Sequence, residues 1–262
     1  MFHVKHCHLH PRRGRIGYPP SPTPAERRSG GHTRLPRFPV IAIDGPAGSG
    51  KSTAARLLAR RLGCTHVDTG ALYRTVTLLA IERGLDLADE RALAAMVPGI
   101  SVRFEPAEAG QRVFSGNREI TAAIRTPELT RQVRFAAGSP AVRAALVPIQ
   151  REFAERGPVV MEGRDIGTAI FPDAPVKFYL DAPLEVRAER RWKELVAAGR
   201  PVAREAVERE EAERDRSDLG RATAPLRRAA DAIVVDTGAL SIEQMVERLA
   251  ALASAGLKGG GR

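Results

Sequence analysis

The 262-residue sequence has two cysteines, one tryptophan and an aromatic content of 5%. The cysteines, Cys7 and Cys64, lie far apart in the chain, so nothing indicates the disulfide framework of a small secreted protein. No apolar run approaches the roughly 18 residues that a membrane-spanning helix needs. The hydrophobic fraction is nevertheless 43%, enough for a full core. These features predict a globular protein of a reducing, cytoplasmic setting.

Acidic residues are nearly absent from the start of the chain. Residues 1–38 hold eight Lys/Arg and one Asp/Glu, and therefore carry +7 of the formal net charge of +10. Six prolines and five of the six histidines also lie there, without hydrophobic periodicity, which predicts a disordered basic tail or a misassigned start. The other 224 residues carry only +3. We therefore expect neither nucleic acid nor membrane as a partner of the folded part.

Lysine is scarce as well, at 5 of 41 basic residues, and one of the five lies in a motif. A short apolar run, residues 40–43, precedes the sequence Gly45, Pro46, Ala47, Gly48, Ser49, Gly50, Lys51, Ser52, Thr53. Residues 52–62 follow with apolar side chains on one helical face. This is the P-loop pattern G-x-x-x-x-G-K-[ST] between a strand and a helix. It predicts a nucleoside-triphosphate site in which Lys51 reaches the β- and γ-phosphates and Ser52 ligates Mg²⁺.

Apolar runs near residues 40, 66, 159, 176 and 232 alternate with helical patterns. This alternation predicts an α/β fold with a five-stranded parallel sheet. The region of about residues 69–157 contains a long insert, for which we predict a strand, a hairpin and two helices at residues 99–105, 111–120, 126–136 and 140–156. A charged segment, about residues 199–221, is the candidate lid. A last helix is predicted at residues 241–253, followed by a flexible end at 254–262.

Polar residues follow the predicted buried strand at residues 159–161. They are Glu162, Gly163, Arg164 and Asp165, and ligands of open α/β sheets bind at the carboxyl ends of the strands. Glu162 is the first candidate for orienting Mg²⁺-bound water, and Asp44 is the second. Two arginines of a later helix, Arg187 and Arg191, are candidates for the triphosphate side.

Five segments in this order and spacing resemble the bacterial cytidylate (CMP) kinases. They include IDGPAGSGKST, DTGALYR, EGRDIGT and ERDRSDLGR, and the resemblance covers about residues 39–253. It implies a P-loop fold of the nucleoside-monophosphate kinase type, with an inserted monophosphate-binding region and a short lid. It also implies ATP- and Mg²⁺-dependent phosphorylation of CMP and dCMP in pyrimidine metabolism. We expect a monomer.

The resemblance also implies roles for individual residues. Arg74, Arg164 and Arg221 match the arginines that grip the CMP phosphate, and Arg143 and Asp165 match residues that contact the cytosine edge. Thr69, Arg214 and Asp218 match positions near the nucleoside sugar. The expected catalytic residues are Lys51, Arg164, Arg214 and Arg221. Two departures stand out: Arg134 occupies a position where the family often has serine, and Leu219-Gly220 differs from the usual pair.

Two alternatives remain at this point. The first is a kinase for UMP, AMP or GMP, against which Asp165 and Arg143 argue. The second is a P-loop regulator that binds nucleotide without turnover and uses its basic tail on nucleic acid. The retained set of Lys51, Arg164, Arg214 and Arg221 argues against the regulator.

Overall fold

The computed structural model describes residues 38–108 and 110–259. Its strands are β1 (Val40–Asp44), β2 (Thr65–Asp68), β3 (Val102–Pro106), β4 (Gln111–Ser115), β5 (Arg118–Glu119), β6 (Val159–Gly163), β7 (Val176–Asp181) and β8 (Ile233–Asp236). Its α-helices are α1 (Lys51–Leu62), α2 (Thr69–Glu82), α3 (Glu90–Met96), α4 (Pro127–Gly138), α5 (Pro140–Arg156), α6 (Leu184–Ala197), α7 (Arg204–Leu219) and α8 (Ile242–Gly259). Except for Phe38, the predicted disordered tail lies outside the described residues.

The main sheet has five parallel strands in the order β2-β6-β1-β7-β8, which confirms the predicted fold class. The central strand, β1, pairs with β6 on one side and β7 on the other. Ala42, for example, lies opposite Met161 and Lys177. All five residues of β1 are buried. The order of the strands reverses at β1, so the loop that follows it opens at the edge where ligands bind in such sheets.

Alternate residues of β1 face opposite sides of the sheet. Ile41 and Ile43 belong to an apolar cluster with Leu58 of α1 and Leu249 of α8. Val40 and Ala42 belong to a second cluster that includes side chains of α2 and of the insert. A buried parallel strand needs apolar residues on both faces, which explains the continuous apolar run.

The insert adds a three-stranded antiparallel sheet, β3-β4-β5, and the helices α3, α4 and α5. The predicted strand, hairpin and two helices are confirmed, whereas α3 was not predicted. Asp89 begins α3 by accepting hydrogen bonds from the backbone N–H groups of Arg91 and Ala92. Phe104 and Leu146 of the insert share one apolar cluster with Met161 of the main sheet. The insert is thus packed onto the sheet by a continuous core.

The predicted end of the last helix is wrong, because α8 continues beyond residue 253 to Gly259. Leu257 packs against the apolar cluster of α1 and α8. At Gly256 an added Cβ would lie 2.9 Å from Cγ2 of Val176, so the glycine permits close packing on β7. These contacts of Gly256 and Leu257 outweigh the low helix propensity of glycine. Residues 260–262 of the predicted flexible end lie outside the described residues.

The candidate lid is largely one helix, since α7 occupies most of residues 199–221.

No helix within the described ranges combines the length and the apolar character needed to cross a membrane.

Gly45 has a backbone and a surrounding that exclude other residues. Its φ is +149°, and an added Cβ would lie 2.0 Å from the carbonyl oxygen of Leu180. We expect Gly45→Ala to lower the free energy of unfolding by at least about 3 kcal/mol. The control is Gly63→Ala, because Gly63 has φ +68° but faces open space; it should cost about 1 kcal/mol. Urea unfolding measures both, and equal losses would contradict the steric argument.

Candidate active site

The phosphate loop joins the carboxyl end of β1 to the first residue of α1. Lys51 begins the helix, is 6% exposed, and points its ammonium group back toward the loop. It donates to the carbonyl oxygen of Pro46 and, at 3.3 Å, to Oγ of Ser49. Burial, followed by the charge of Arg164, lowers the pKa of Lys51 to about 7. The lysine is therefore held inside the loop, where a bound phosphate would favour its charged form.

A polar cluster connects the loop to β6. Oγ of Ser52 donates to Oε2 of Glu162 at 2.7 Å, and Oε1 of Glu162 lies 3.0 Å from Nε2 of His66. Although burial acts to raise it, the bond with His66 and the charge of Lys51 hold the pKa of Glu162 below its usual value. The hydroxyl of Thr69 donates to the backbone oxygen of Glu162 at 2.7 Å. The predicted metal-binding pair is brought together, with an ionised carboxylate.

His66 is a contact that the sequence did not predict. It lies on β2, opposite Val160 of β6, so the sheet places it beside Glu162. The sequence did show a histidine close to the carboxyl end of a predicted parallel strand, where ligands bind. Only the strand order shows that its neighbour is Glu162.

Asp44, the last residue of β1, accepts backbone hydrogen bonds from Ile166 at 2.9 Å and Gly167 at 2.7 Å. These two residues belong to a π-helical turn after β6, directly behind Arg164 and Asp165. Burial raises the pKa of Asp44 to about 6. The sequence suggested Asp44 as a second residue for metal-bound water. Both of its oxygens are instead engaged in holding this turn, which leaves Glu162 as the better candidate.

Two of the predicted phosphate-binding arginines meet on one carboxylate. Nε of Arg164 donates to Oδ2 of Asp218 at 2.7 Å, and Nη2 of Arg221 donates to Oδ1 at 2.8 Å. Burial opposes it, but these two arginines hold the pKa of Asp218 below its usual value. Asp218 therefore neutralises and orients two guanidinium groups at the edge of the sheet.

Arg74 and Arg214 lie near this cluster without joining it by a hydrogen bond. Arg74 donates to Oγ1 of Thr130 at 2.7 Å and to the carbonyl oxygen of Ile124 at 3.2 Å. Burial, followed by the charge of Arg214, lowers the pKa of Arg74 to about 10. Arg214 pairs with Glu211 of its own helix at 3.0 Å and is 36% exposed. The two arginines thus act on each other through space.

The predicted base-contacting residues form a buried ion pair. Nη2 of Arg143 donates to Oδ2 of Asp165 at 2.5 Å, and the guanidinium lies 5.3 Å from the ring of Tyr73. Nε of Arg143 is buried and has no hydrogen-bond partner among the described residues. Both members of the pair are fixed, and a donor remains for a further acceptor.

The departures from the family pattern lie at the surface. Arg134 is exposed, and its guanidinium lies 5.0 Å from the ring of Phe135. Leu219 is 58% exposed at the end of α7.

Arg191, a candidate for the triphosphate side, pairs with Glu194 at 3.1 Å.

A phosphate loop on the central strand of a parallel sheet, faced by several arginines, defines a P-loop phosphotransferase. The family model described as cytidylate kinase matches residues 41–255. The cytidylate kinase of Exiguobacterium sibiricum is 50% identical over 218 residues, 83% of this chain and 98% of the relative. That of Pelotomaculum thermopropionicum is 48% identical over 220 residues, 84% of this chain and 97% of the relative. The chain belongs to the cytidylate kinase family.

Asp44 gives the stability of the protein a pH dependence that a substitution isolates. Its pKa is raised from 3.8 to about 6, so the folded state binds this proton more tightly than the unfolded chain. The contribution of Asp44 to stability therefore falls as the pH rises from about 4 to about 6. Asp44→Asn removes the titration. The free energy of unfolding of the wild type minus that of the variant should therefore fall by up to about 3 kcal/mol over that interval.

Urea unfolding at a series of pH values measures this difference. Asp231→Asn is the control with the opposite sign, because the bond to Lys177 lowers the pKa of Asp231. The free energy of unfolding of the wild type minus that of this variant should rise with pH. A constant or widening difference for Asp44→Asn would contradict the raised pKa.

Proposed function

We propose that this protein transfers the γ-phosphoryl group of ATP to CMP and dCMP, forming CDP and dCDP. One observation carries the proposal. The turn after β6 places two consecutive residues in different clusters, Arg164 with Asp218 and Asp165 with Arg143. Arg164 would meet the phosphate of the acceptor and Asp165 its base. One short segment would thus fix both ends of a nucleoside monophosphate.

The acceptor phosphate is assigned to Arg74, Arg164 and Arg221. Guanidinium groups bind phosphate through two parallel hydrogen bonds, and Asp218 already orients two of the three. A phosphate arriving there would replace carboxylate contacts with phosphate contacts. Thr69 and Asp218 are assigned to the surroundings of the sugar.

The base is assigned to Asp165 and Arg143. A carboxylate accepts a hydrogen bond from the exocyclic amine of cytosine, and uracil has no such amine. Uracil has a carbonyl oxygen in place of the amine, and this acceptor would face the carboxylate without a hydrogen bond, so the site should discriminate against UMP.

The donor triphosphate is assigned to the loop of residues 45–50 and to Lys51, Ser52 and Thr53. The acceptor oxygen is already ionised at neutral pH, so the reaction needs positioning and charge neutralisation rather than a strong base. The lid, residues 199–221, would close over ATP, bring Arg214 to the transferring group and exclude water as a competing acceptor.

Ser52 and Glu162 are the residues that would hold Mg²⁺. Their oxygens lie side by side, and Glu162 is ionised, which suits a hard cation. In the part of the chain that is described, no group of three or more His, Cys, Asp and Glu side chains could hold a metal. The ion would therefore share its coordination with the phosphates of ATP, whose charge it neutralises when bound.

The cytidylate kinase unit is proposed to span residues 39–253, with the insert, about residues 69–157, as the monophosphate-binding region. We infer a monomer that works in the cytoplasm, where ATP and CMP are available.

The function is tested by measuring ADP formation from ATP and Mg²⁺ with CMP, dCMP, UMP or AMP. We expect turnover with CMP and dCMP. Lys51→Ala should lower kcat at least about 100-fold, because charge stabilisation at the phosphates is lost. Asp165→Ala should raise KM for CMP at least about 10-fold and reduce the preference over UMP.

Glu119→Gln is the control, because Glu119 is an exposed carboxylate on β5, and it should leave the rates unchanged. Equal turnover with UMP in the wild type would contradict the cytosine assignment. Absence of turnover with every monophosphate would contradict the kinase.

The metal assignment is tested by Glu162→Gln, which keeps the size of the side chain and loses its charge. The Mg²⁺ concentration for half-maximal rate should rise about 10-fold or more. Calorimetry should show weaker ATP binding with Mg²⁺ present and unchanged binding with the metal chelated. An unchanged Mg²⁺ dependence would contradict the assignment.

A further inference from the structure

A buried arginine of α6 connects the phosphate loop to the lid helix. Arg187 is 5% exposed, and its guanidinium donates to three separate segments. Nε bonds to the carbonyl oxygen of Ala182 at 2.9 Å, and Nη1 to that of Ala47 in the phosphate loop at 3.1 Å. Nη2 bonds to Oδ2 of Asp215 on α7 at 2.6 Å. One rigid, planar group thus joins the root of α6, the loop and the lid.

The contact between α6 and the loop leaves no spare room. An added Cβ at Gly48 would lie 2.9 Å from Cβ of Arg187. The backbone of the loop therefore rests directly on the arginine. A shift of either would displace the other, because closely packed groups transmit displacement.

Arg187 is the main counterion of Asp215, a largely buried carboxylate of the lid. The side chain of Asp215 is 18% exposed, and its second oxygen, Oδ1, is buried without a hydrogen-bond partner among the described residues. Removing Arg187 would leave the charge without its counterion, which is costly. Val207 and Glu211 are the buried residues of α7, so the lid helix has little apolar contact and depends on polar pairs, of which Asp218 with Arg164 is another.

Asp215 also lies in the functional part of the lid. It follows Arg214 directly, and Asp218, which holds Arg164 and Arg221, comes one turn later on the same helix. The rotation and height of α7 at Asp215 therefore determine where these neighbours stand.

We propose that Arg187 is a positioning residue that couples the lid helix to the phosphate loop through Asp215. When triphosphate fills the loop, the Arg187–Asp215 ion pair carries that change to α7 and places Arg214 for phosphoryl transfer. This inference rests on the function proposed above, because it requires ATP at the loop and a transfer for Arg214 to assist.

The chain contains a natural reporter of the lid. Trp192 is the only tryptophan, lies on α6, and donates from Nε1 to the carbonyl oxygen of Val202 at 3.1 Å, two residues before α7. Its fluorescence should change when ATP binds, without any need for turnover.

The test compares wild type with Asp215→Asn, Arg187→Lys and the double variant. In each variant we expect kcat to fall about 10-fold or more, while the ATP dissociation constant from calorimetry stays within about threefold. The Trp192 response to ATP should fall below about half of the wild-type amplitude. The double variant should be no worse than the more severe single one, because both substitutions break the same pair.

Arg61→Lys is the matched control. The pair of Arg61 and Glu247, at 2.6 Å, also joins two helices, α1 and α8, but lies at the surface. This variant should keep the wild-type kcat and fluorescence response. Should Arg187→Lys fail to fold, Asp215→Asn, which preserves shape, carries the test.

Three outcomes would overturn the coupling. They are an unchanged Trp192 response in Asp215→Asn, a rate loss that merely follows ATP affinity, and fully additive effects in the double variant. A wild-type protein without CMP phosphorylation would overturn the proposed function instead. The fluorescence and affinity measurements with ATP would still decide whether loop and lid are coupled.

Discussion

The carboxylate of Asp44 holds together the two halves of the candidate site. It ends the strand that precedes the phosphate loop, and it accepts both backbone hydrogen bonds from the turn that follows Arg164 and Asp165. Those N–H groups are buried, so they need this acceptor. The phosphate loop and the turn that carries Arg164 and Asp165 are therefore parts of one rigid unit, and the pairing of β1 with β6 sets the distance between them.

A concentration of positive charge is the price of this arrangement. Burial, followed by the charge of Arg164, lowers the pKa of Lys51, and Arg221 lies on the same carboxylate as Arg164. Asp218 and Glu162 offset part of this repulsion and keep the guanidinium groups oriented. Phosphate groups would supply the remaining negative charge. The site is thus preorganised for anions, which is what electrostatic catalysis of phosphoryl transfer requires.

The features predictable from the sequence are those that depend on neighbouring residues. Buried strands appear as apolar runs, and the spacing of Gly45, Gly50 and Lys51 defines the phosphate loop. The bond between Asp44 and Gly167 joins residues 123 positions apart, and that between His66 and Glu162 joins residues 96 apart. Such contacts depend on strand order, which local patterns do not contain. The end of α8 was mispredicted for the same reason, because packing of Gly256 on β7 overrides glycine's local preference.

Resemblance, rather than physical derivation, indicated the pair of Arg143 and Asp165. The residues are 22 positions apart, on α5 and directly after β6. The position of Asp165 after a buried strand makes it a site candidate, but nothing in the segment of Arg143 distinguishes this arginine from ordinary surface charge. Their meeting depends on how α5 packs against the turn that Asp44 holds.

The insert and the lid are the two parts of the fold that could move on closure. Different interactions attach them to the main sheet. Phe104 and Leu146 of the insert are buried in one cluster with Met161 of the sheet, and separating them would expose apolar surface to water. The lid helix buries only Val207 and Glu211, and one of the polar pairs that hold it is that of Asp218 with Arg164. A polar contact can be exchanged for a contact with a ligand at little net cost, because both partners remain hydrogen-bonded. An apolar contact has no such substitute. Closure should therefore occur in the lid, with Gly199 at φ +69° before it as a flexible joint, while the half of the site that carries Arg143 and Asp165 keeps its place on the sheet.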